Sequence, residues 1–138
     1  MTQALRKLVI GCVLLVGAGC SGAGGGGATQ TPQELTLHEV ADIIRSATGP
    51  TGKGPTKVSD FDKFASVYSR AYEAAKSGEV VVIWGGTVKG EGDMAQGGDV
   101  IAYEKDAPAN GGYVLLTSGE VKKMSAADFN AAPKGGKK

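Results

Sequence analysis

The chain has 138 residues, enough for one ordinary domain once flexible ends are set aside. Its 15 basic and 14 acidic side chains give a formal net charge of +1, and without Arg6 and Lys7, which belong to a leader, 13 stand against 14 for a net of -1. That balance gives no electrostatic footing for nucleic-acid binding, and many of the 23 glycines fall in two clusters, 17–27 and 49–54, which mark linkers and loops.

Met1 to Lys7 carries two positive charges, Leu8 to Val16 is apolar, and Gly17-Ala18-Gly19 places small residues ahead of Cys20. This is the three-part plan of an export signal. The apolar run is roughly nine residues, too short for a helix to cross the ~30 Å hydrocarbon core, so cleavage is expected and residues 1–19 are read as a signal peptide. The site resembles a bacterial lipobox, in which the cysteine thiol receives a diacylglycerol and the chain is cut just before it; here Gly17 stands where leucine is usual. Cys20 is therefore the expected lipidation site. Cys12 leaves with the leader, so neither a disulfide nor cysteine-based chemistry is expected of the mature chain. Residues 20–33 then form a lipidated cysteine and a Gly-rich tether with little to bury.

The domain is expected over residues 34–133. Thr36 with Glu39 has capping-box spacing, and Leu37, Val40, Ala41, Ile44 and Ala47 make one apolar stripe that Gly49-Pro50 stops. His38, the only histidine, falls on the polar side of that helix. Residues 49–54 contain Lys53-Gly54 where a phosphate-binding loop needs Ser or Thr after the lysine, which excludes a P-loop. Ser59 to Ser77 is expected as one helix, stopped by Gly78, with Phe61, Phe64, Ala65, Tyr68, Ala71, Tyr72 and Ala75 on an aromatic stripe.

Glu79 to Val88 is the longest β-branched and aromatic run and is read as the central strand, with Trp84 packed against Phe61, Phe64 and Tyr68. Trp84 is also the candidate ligand-binding residue, since Gly85-Gly86 beside it could leave its ring open as a platform. Lys89 to Gly98 is an acidic, Gly-rich loop with Glu91, Asp93 and Asp99 in or beside it; the spacing is not that of a calcium loop, and Gly97-Gly98 break the helix a dinucleotide fingerprint needs. Val100 to Tyr103, Gly112 to Leu116 and Val121 to Met124 are three further strands, the last two joined by a Ser118-Gly119 turn. Ser125 caps a short final helix carrying Phe129, and residues 134–138 are expected to be a disordered basic tail. The fold class is α+β, a small antiparallel sheet of about four strands packed against two or three helices.

Gly78 to Gly85, Val100 to Lys105, Pro108, Gly111 to Leu116, Gly119, Val121 to Met124 and Asp128-Phe129 form one extended pattern. It resembles small secreted lipoproteins of planctomycete-type bacteria, across roughly residues 59–133. More distantly, the hairpin is similar to the end of large pilin-like secreted proteins, whose Asp-Gly turn is Ser118-Gly119 here. The resemblance implies lineage, export and fold, and brings no activity with it.

The expected function is that of a lipid-anchored, non-catalytic envelope protein on the outer membrane or the periplasmic face. Its partners are the membrane, through Cys20, and an envelope protein or cell-wall component; no cofactor, metal or nucleic acid is expected. The alternatives are a minor subunit of a secretion or pilus-like assembly, and a small envelope enzyme using carboxylates such as Glu91, Asp93 and Asp99 or Glu104 and Asp106, for which no spacing identifies a partnered base.

Overall fold

Thr31, rather than Thr36, opens the first helix. In the computed structural model, which describes residues 29–89 and 97–136, α1 runs Pro32–Thr48, and the Thr31 hydroxyl accepts the Glu34 N–H at 3.2 Å. Proline suits that first turn, where its missing N–H would have had no partner. Thr36 lies inside the helix and donates to the Pro32 carbonyl at 2.7 Å. Ordered structure therefore begins within the stretch assigned to the tether. The buried face of α1 holds Leu37, Val40, Ala41 and Ile44, as the periodicity requires, together with Ile43.

The single helix expected over Ser59 to Ser77 is broken in two. Val58–Phe64 is a 3-10 helix and α2 is Ser69–Ser77, with Tyr68 between them at φ -118, ψ 54. Two carboxylates account for the break. Asp60 accepts the Thr56 N–H at 2.7 Å, the Thr56 hydroxyl at 3.1 Å and the Lys57 N–H at 3.2 Å, tying the tight first turns to the loop before them. Those bonds, the Thr56 N–H foremost, hold the Asp60 carboxyl below the usual aspartate range against an opposing desolvation. Glu39 reaches across from α1, accepting the Ala71 N–H at 3.3 Å and lying 3.9 Å from the Arg70 guanidinium. A residue of one helix thus caps the N-terminus of the next. Gly78, left-handed at φ 82, stops α2 as expected.

The four strands are β1 Val80–Val82, β2 Val100–Glu104, β3 Gly112–Leu116 and β4 Val121–Met124, in that order across the sheet, and every neighbouring pair is antiparallel. The α+β class with four antiparallel strands holds. The expected central strand does not: β1 is an edge strand of three residues. Its chain makes one more bond, Ile83 N–H to the Ile101 carbonyl at 2.8 Å, and turns away through Trp84-Gly85; the Gly85 N–H then reaches the Pro55 carbonyl at 2.7 Å. Gly85 takes φ 89, and a Cβ on Gly86 would lie 2.7 Å from the Ile101 side chain, so the turn is confined to glycine at both positions. β1 packs on α2 through Val80 and Val82, both buried, while Val81 on the other face is half-buried.

β2 carries a bulge. Val100 pairs with Leu116 and Ala102 with Leu115, leaving Ile101 extra. Val100 consequently joins the cluster on one face while Ile101 and Ala102 join the cluster on the other, and all three are buried. The larger face packs on α1, α2 and the 3-10 helix, with Leu37, Val40, Ile43, Ile44, Phe61 and Leu115 fully buried. The smaller packs on α3 Ala107–Asn110 and on α4 Ala126–Ala131; its members are Val100, Ala107, Val114, Leu116 and Phe129. Ser125 caps α4, accepting the Asp128 N–H at 3.1 Å.

The start of the expected basic tail is part of the sheet. The Val100 N–H donates to Pro133 and the Gly135 N–H to Val100, both at 2.9 Å, making a parallel bridge between Val100 and Lys134 in the place that β1 vacates. The Lys134 ammonium donates to the Phe129 and Ala132 carbonyls and sits 4.2 Å from the centroid of the Phe129 ring, closing the C-terminus of α4. Residues 137–138 lie outside the described residues.

Candidate functional site

Gly78 turns the chain sharply from α2 into β1, and the β2–α3 corner lies beside the start of that strand through the Lys105 N–H bond to the Glu79 carbonyl at 2.9 Å. Between these elements and the first turn of α1 is an open cleft of about 870 Å³. Its walls come from three separate stretches: Gln33 and Thr36 on α1; Arg70, Glu73, Ala74 and Ser77 on α2, running into Glu79 and Val80; and Glu104 to Asp106 with Asn110 and Gly111.

The α2 contribution follows from spacing. Positions 70, 73, 74 and 77 recur at three and four residues and form the stripe next to the aromatic one. This polar stripe was readable in the sequence, but only the break at Tyr68 sets its direction. Four carboxylates, Glu73, Glu79, Glu104 and Asp106, line the cleft against two cations, Arg70 and Lys105. Some of the polar groups are already engaged. Glu104 Oε2 accepts the Tyr113 N–H at 2.6 Å, standing in for a backbone partner where β2 and β3 part; Thr36 is bonded within α1, and the Ser77 hydroxyl donates to Ala74 at 3.2 Å. The remaining carboxylates face solvent along the rim. The arrangement suits docking of a polar, positively charged segment, with Val80 and Ala74 as the apolar floor.

The residues singled out from sequence lie elsewhere. Trp84 is half-buried in the turn after β1; its ring meets Phe61 edge-on with centroids 5.4 Å apart and an interplanar angle of 68°. Phe64 and Tyr68 pack on the same cluster. Of the three expected ring partners Trp84 meets Phe61, from a turn rather than from inside the strand, and it does not line the cleft. Cys20 lies outside the described residues, as do Glu91 and Asp93. Asp99 is tied to the end of the sheet, its N–H donating to the Thr117 hydroxyl at 3.2 Å and its carbonyl accepting the Thr117 N–H at 2.9 Å. Among the described residues no three His, Cys, Asp or Glu side chains are grouped to hold a metal ion, and no helix is long and apolar enough to cross a membrane. Glu104 and Asp106 do come to one place, in the cleft, whereas His38 on α1 does not line it.

Fold and site together define a small α+β domain with an acidic, open cleft at the edge of a four-stranded meander. The chain matches no protein-family model, no curated protein and no solved structure.

Proposed function

We propose that the chain is an exported, lipid-anchored protein of the bacterial envelope, held in the membrane through Cys20 and acting as a non-catalytic docking module. The supporting observation is the position of the cleft relative to the tether. Gln33 and Thr36, in the first turns of α1, line the cleft, and the tether joins the domain directly before them at Thr31. Eleven Gly-rich residues, the number from Cys20 to Gln30, would as a random coil span roughly 17 to 20 Å r.m.s.. An anchored domain would therefore hold the cleft within a few nanometres of the bilayer, facing envelope components on the outer membrane or the periplasmic side. Two or three acyl chains on Cys20 suffice for stable anchoring, where a single chain is marginal.

Fractionation of cells making the wild-type chain and Cys20→Ser, with mass spectrometry of the N-terminal peptide, tests the anchor. The wild-type chain is expected in the membrane fraction, its N-terminal peptide starting at an acylated Cys20, and Cys20→Ser is expected in the soluble fraction. A wild-type peptide that starts at Met1, or at an unmodified Cys20, overturns the reading. The second reading, a subunit of a secretion or pilus-like assembly, is favoured by one observation: among the described residues, neither outer strand of the sheet, β1 or β4, has a second strand partner.

A further inference from the structure

Among the described residues, Val67 is the one large apolar side chain left exposed, at 72%. It stands in the turn between the 3-10 helix and α2, where the Val67 and Tyr68 N–H groups both donate to the Phe64 carbonyl, at 3.0 and 2.9 Å. Two bonds to one acceptor tie the turn, so the fold itself holds Val67 out. Phe64 and Tyr68, on either side of it, are half-buried and pack inward on the larger core, while Ser66 and Ser69 are exposed. A lone surface valine is ordinary; one held out from a tied turn between two half-open rings forms a small apolar projection. The charges around it are matched. The Lys63 ammonium lies 4.9 Å from the centre of the Phe64 ring and Arg70 lies 3.9 Å from Glu39, while Asp62 accepts the Tyr72 hydroxyl at 3.0 Å.

We infer that this turn enters the interface of the membrane to which the chain is anchored, with Val67 reaching the acyl boundary and the Phe64 and Tyr68 rings at headgroup level. The occupant follows from where the tether ends. Glu39 accepts the Ala71 N–H, so the start of α2 lies beside Glu39, eight residues past Thr31 and about 12 Å along the axis of α1. The coil before Thr31 spans more than that, roughly 17 to 20 Å, so the acyl chains and the turn reach one bilayer together. The anchor supplies proximity, and Val67 has only to select an orientation. Taking most of a valine out of water biases that orientation by roughly tenfold, too little to hold a free protein on a membrane and enough to orient an anchored one. With the local charges matched, apolar contact rather than headgroup charge sets the preference. A second contact restricts the tumbling that a Gly-rich tether alone permits, and so governs how the cleft, lined by α2 from Arg70 to Ser77, is presented.

This rests on the anchor half of the function proposed above, not on the docking half. The acylated full-length chain, reconstituted into phosphatidylcholine vesicles that carry a nitroxide-labelled lipid, tests it. A fluorophore is attached through Ser66→Cys, beside Val67, or through Ala127→Cys, exposed on α4 across the sheet. With Cys20 acylated and Cys12 gone with the leader, the introduced thiol is the one that reacts. The Ser66 label is expected to be quenched about fivefold more strongly than the Ala127 label. Vesicles enriched in phosphatidylglycerol, or ~0.5 M salt, should leave that ratio unchanged. Val67→Ser added to the Ser66→Cys chain should bring its quenching down to the Ala127 level and Val67→Leu should preserve it, the Trp84 near-UV signal staying native in both. Equal quenching of the two labels, or quenching that Val67→Ser leaves unchanged, overturns the insertion. Quenching that needs phosphatidylglycerol and disappears in salt also overturns it, and assigns the contact to headgroup charge. An acylated chain that stays with the vesicles yet shows equal quenching leaves the anchor standing, whereas a chain that purifies without acyl groups removes both.

Discussion

The two faces of the sheet are built on different principles. The larger is covered by elements that precede the sheet in the chain; α1 alone brings five fully buried apolar side chains, Leu37, Val40, Ala41, Ile43 and Ile44. The smaller is covered by two short helices, α3 and α4, each of which supplies one buried residue, Ala107 and Phe129. Where a long amphipathic helix lies on a sheet, burial is spread over many contacts; where only a turn or two is present, it is concentrated in one anchor. The anchor is accordingly reinforced. Phe129 packs on Tyr103 with ring centroids 4.7 Å apart, and the Lys134 ammonium lies 4.2 Å from the centre of its ring.

Substitutions can sharpen or break that contrast. Phe61→Ala is expected to have the largest effect, about 4 kcal/mol, because a fully buried ring that also supports Trp84 is removed from the larger core. Chemical denaturation measures it, and a loss under 1 kcal/mol would mean the larger core does not depend on the 3-10 helix. Phe129→Ala should follow at about 3 kcal/mol, with a distinguishing local signature: amides around Val100 and Gly135 should lose hydrogen-exchange protection while those of α1 keep theirs. Equal loss in α1 would show that the two faces fold as one unit. Thr31→Ala should cost about 1 kcal/mol through the lost cap, and a melting temperature unchanged from wild type would return the start of the domain to beyond Thr31.

The smallest effect concerns pH. The Asp60 carboxyl sits below its ordinary range, so its contribution to stability is complete above the ordinary aspartate value of about 4 and is lost as pH falls through the lower folded value. Asp60→Asn should therefore flatten the acid limb of the stability profile in that window and leave the limb above pH 5 parallel to wild type. An unchanged acid limb would show that the bonds to Thr56 and Lys57 do not persist in solution.

Where local chemistry decides, the sequence was a sufficient guide. The β3–β4 hairpin, the Ser125 cap and the Gly78 stop depend on residues within a few positions of one another, and each falls where the turn and capping rules place it. Where the decision is made at a distance, it was not. α2 begins at Ser69 because Glu39 satisfies the N–H of Ala71, which lies 32 residues further along the chain. β1 reads as central because its run is the most apolar, yet pairing on only one side is a property of chain order that apolar patterning does not encode. Lys134 and Gly135 look like a loose end, since glycines beside lysines have little to bury; they are held because Val100 has a free backbone edge and because Gly135 tolerates no Cβ, which would come 2.9 Å from Ile101. The cleft was the least visible feature, its walls being drawn from three stretches that meet only after the sheet has formed.

The strand order also has a kinetic consequence. Each strand pairs with its neighbour in the chain, but the connections are unequal: β3 and β4 are joined through residues 117–120, whereas β1 and β2 are separated by residues 83–99. Closing the longer connection costs on the order of 1 kcal/mol more in chain entropy, and hairpins with short turns form within microseconds. The hairpin is then the natural nucleus, β2 joins it through α3, and β1 docks last together with the segment at Lys134 that shares its edge of β2. The acidic edge would be the final part of the sheet to form and the first to open.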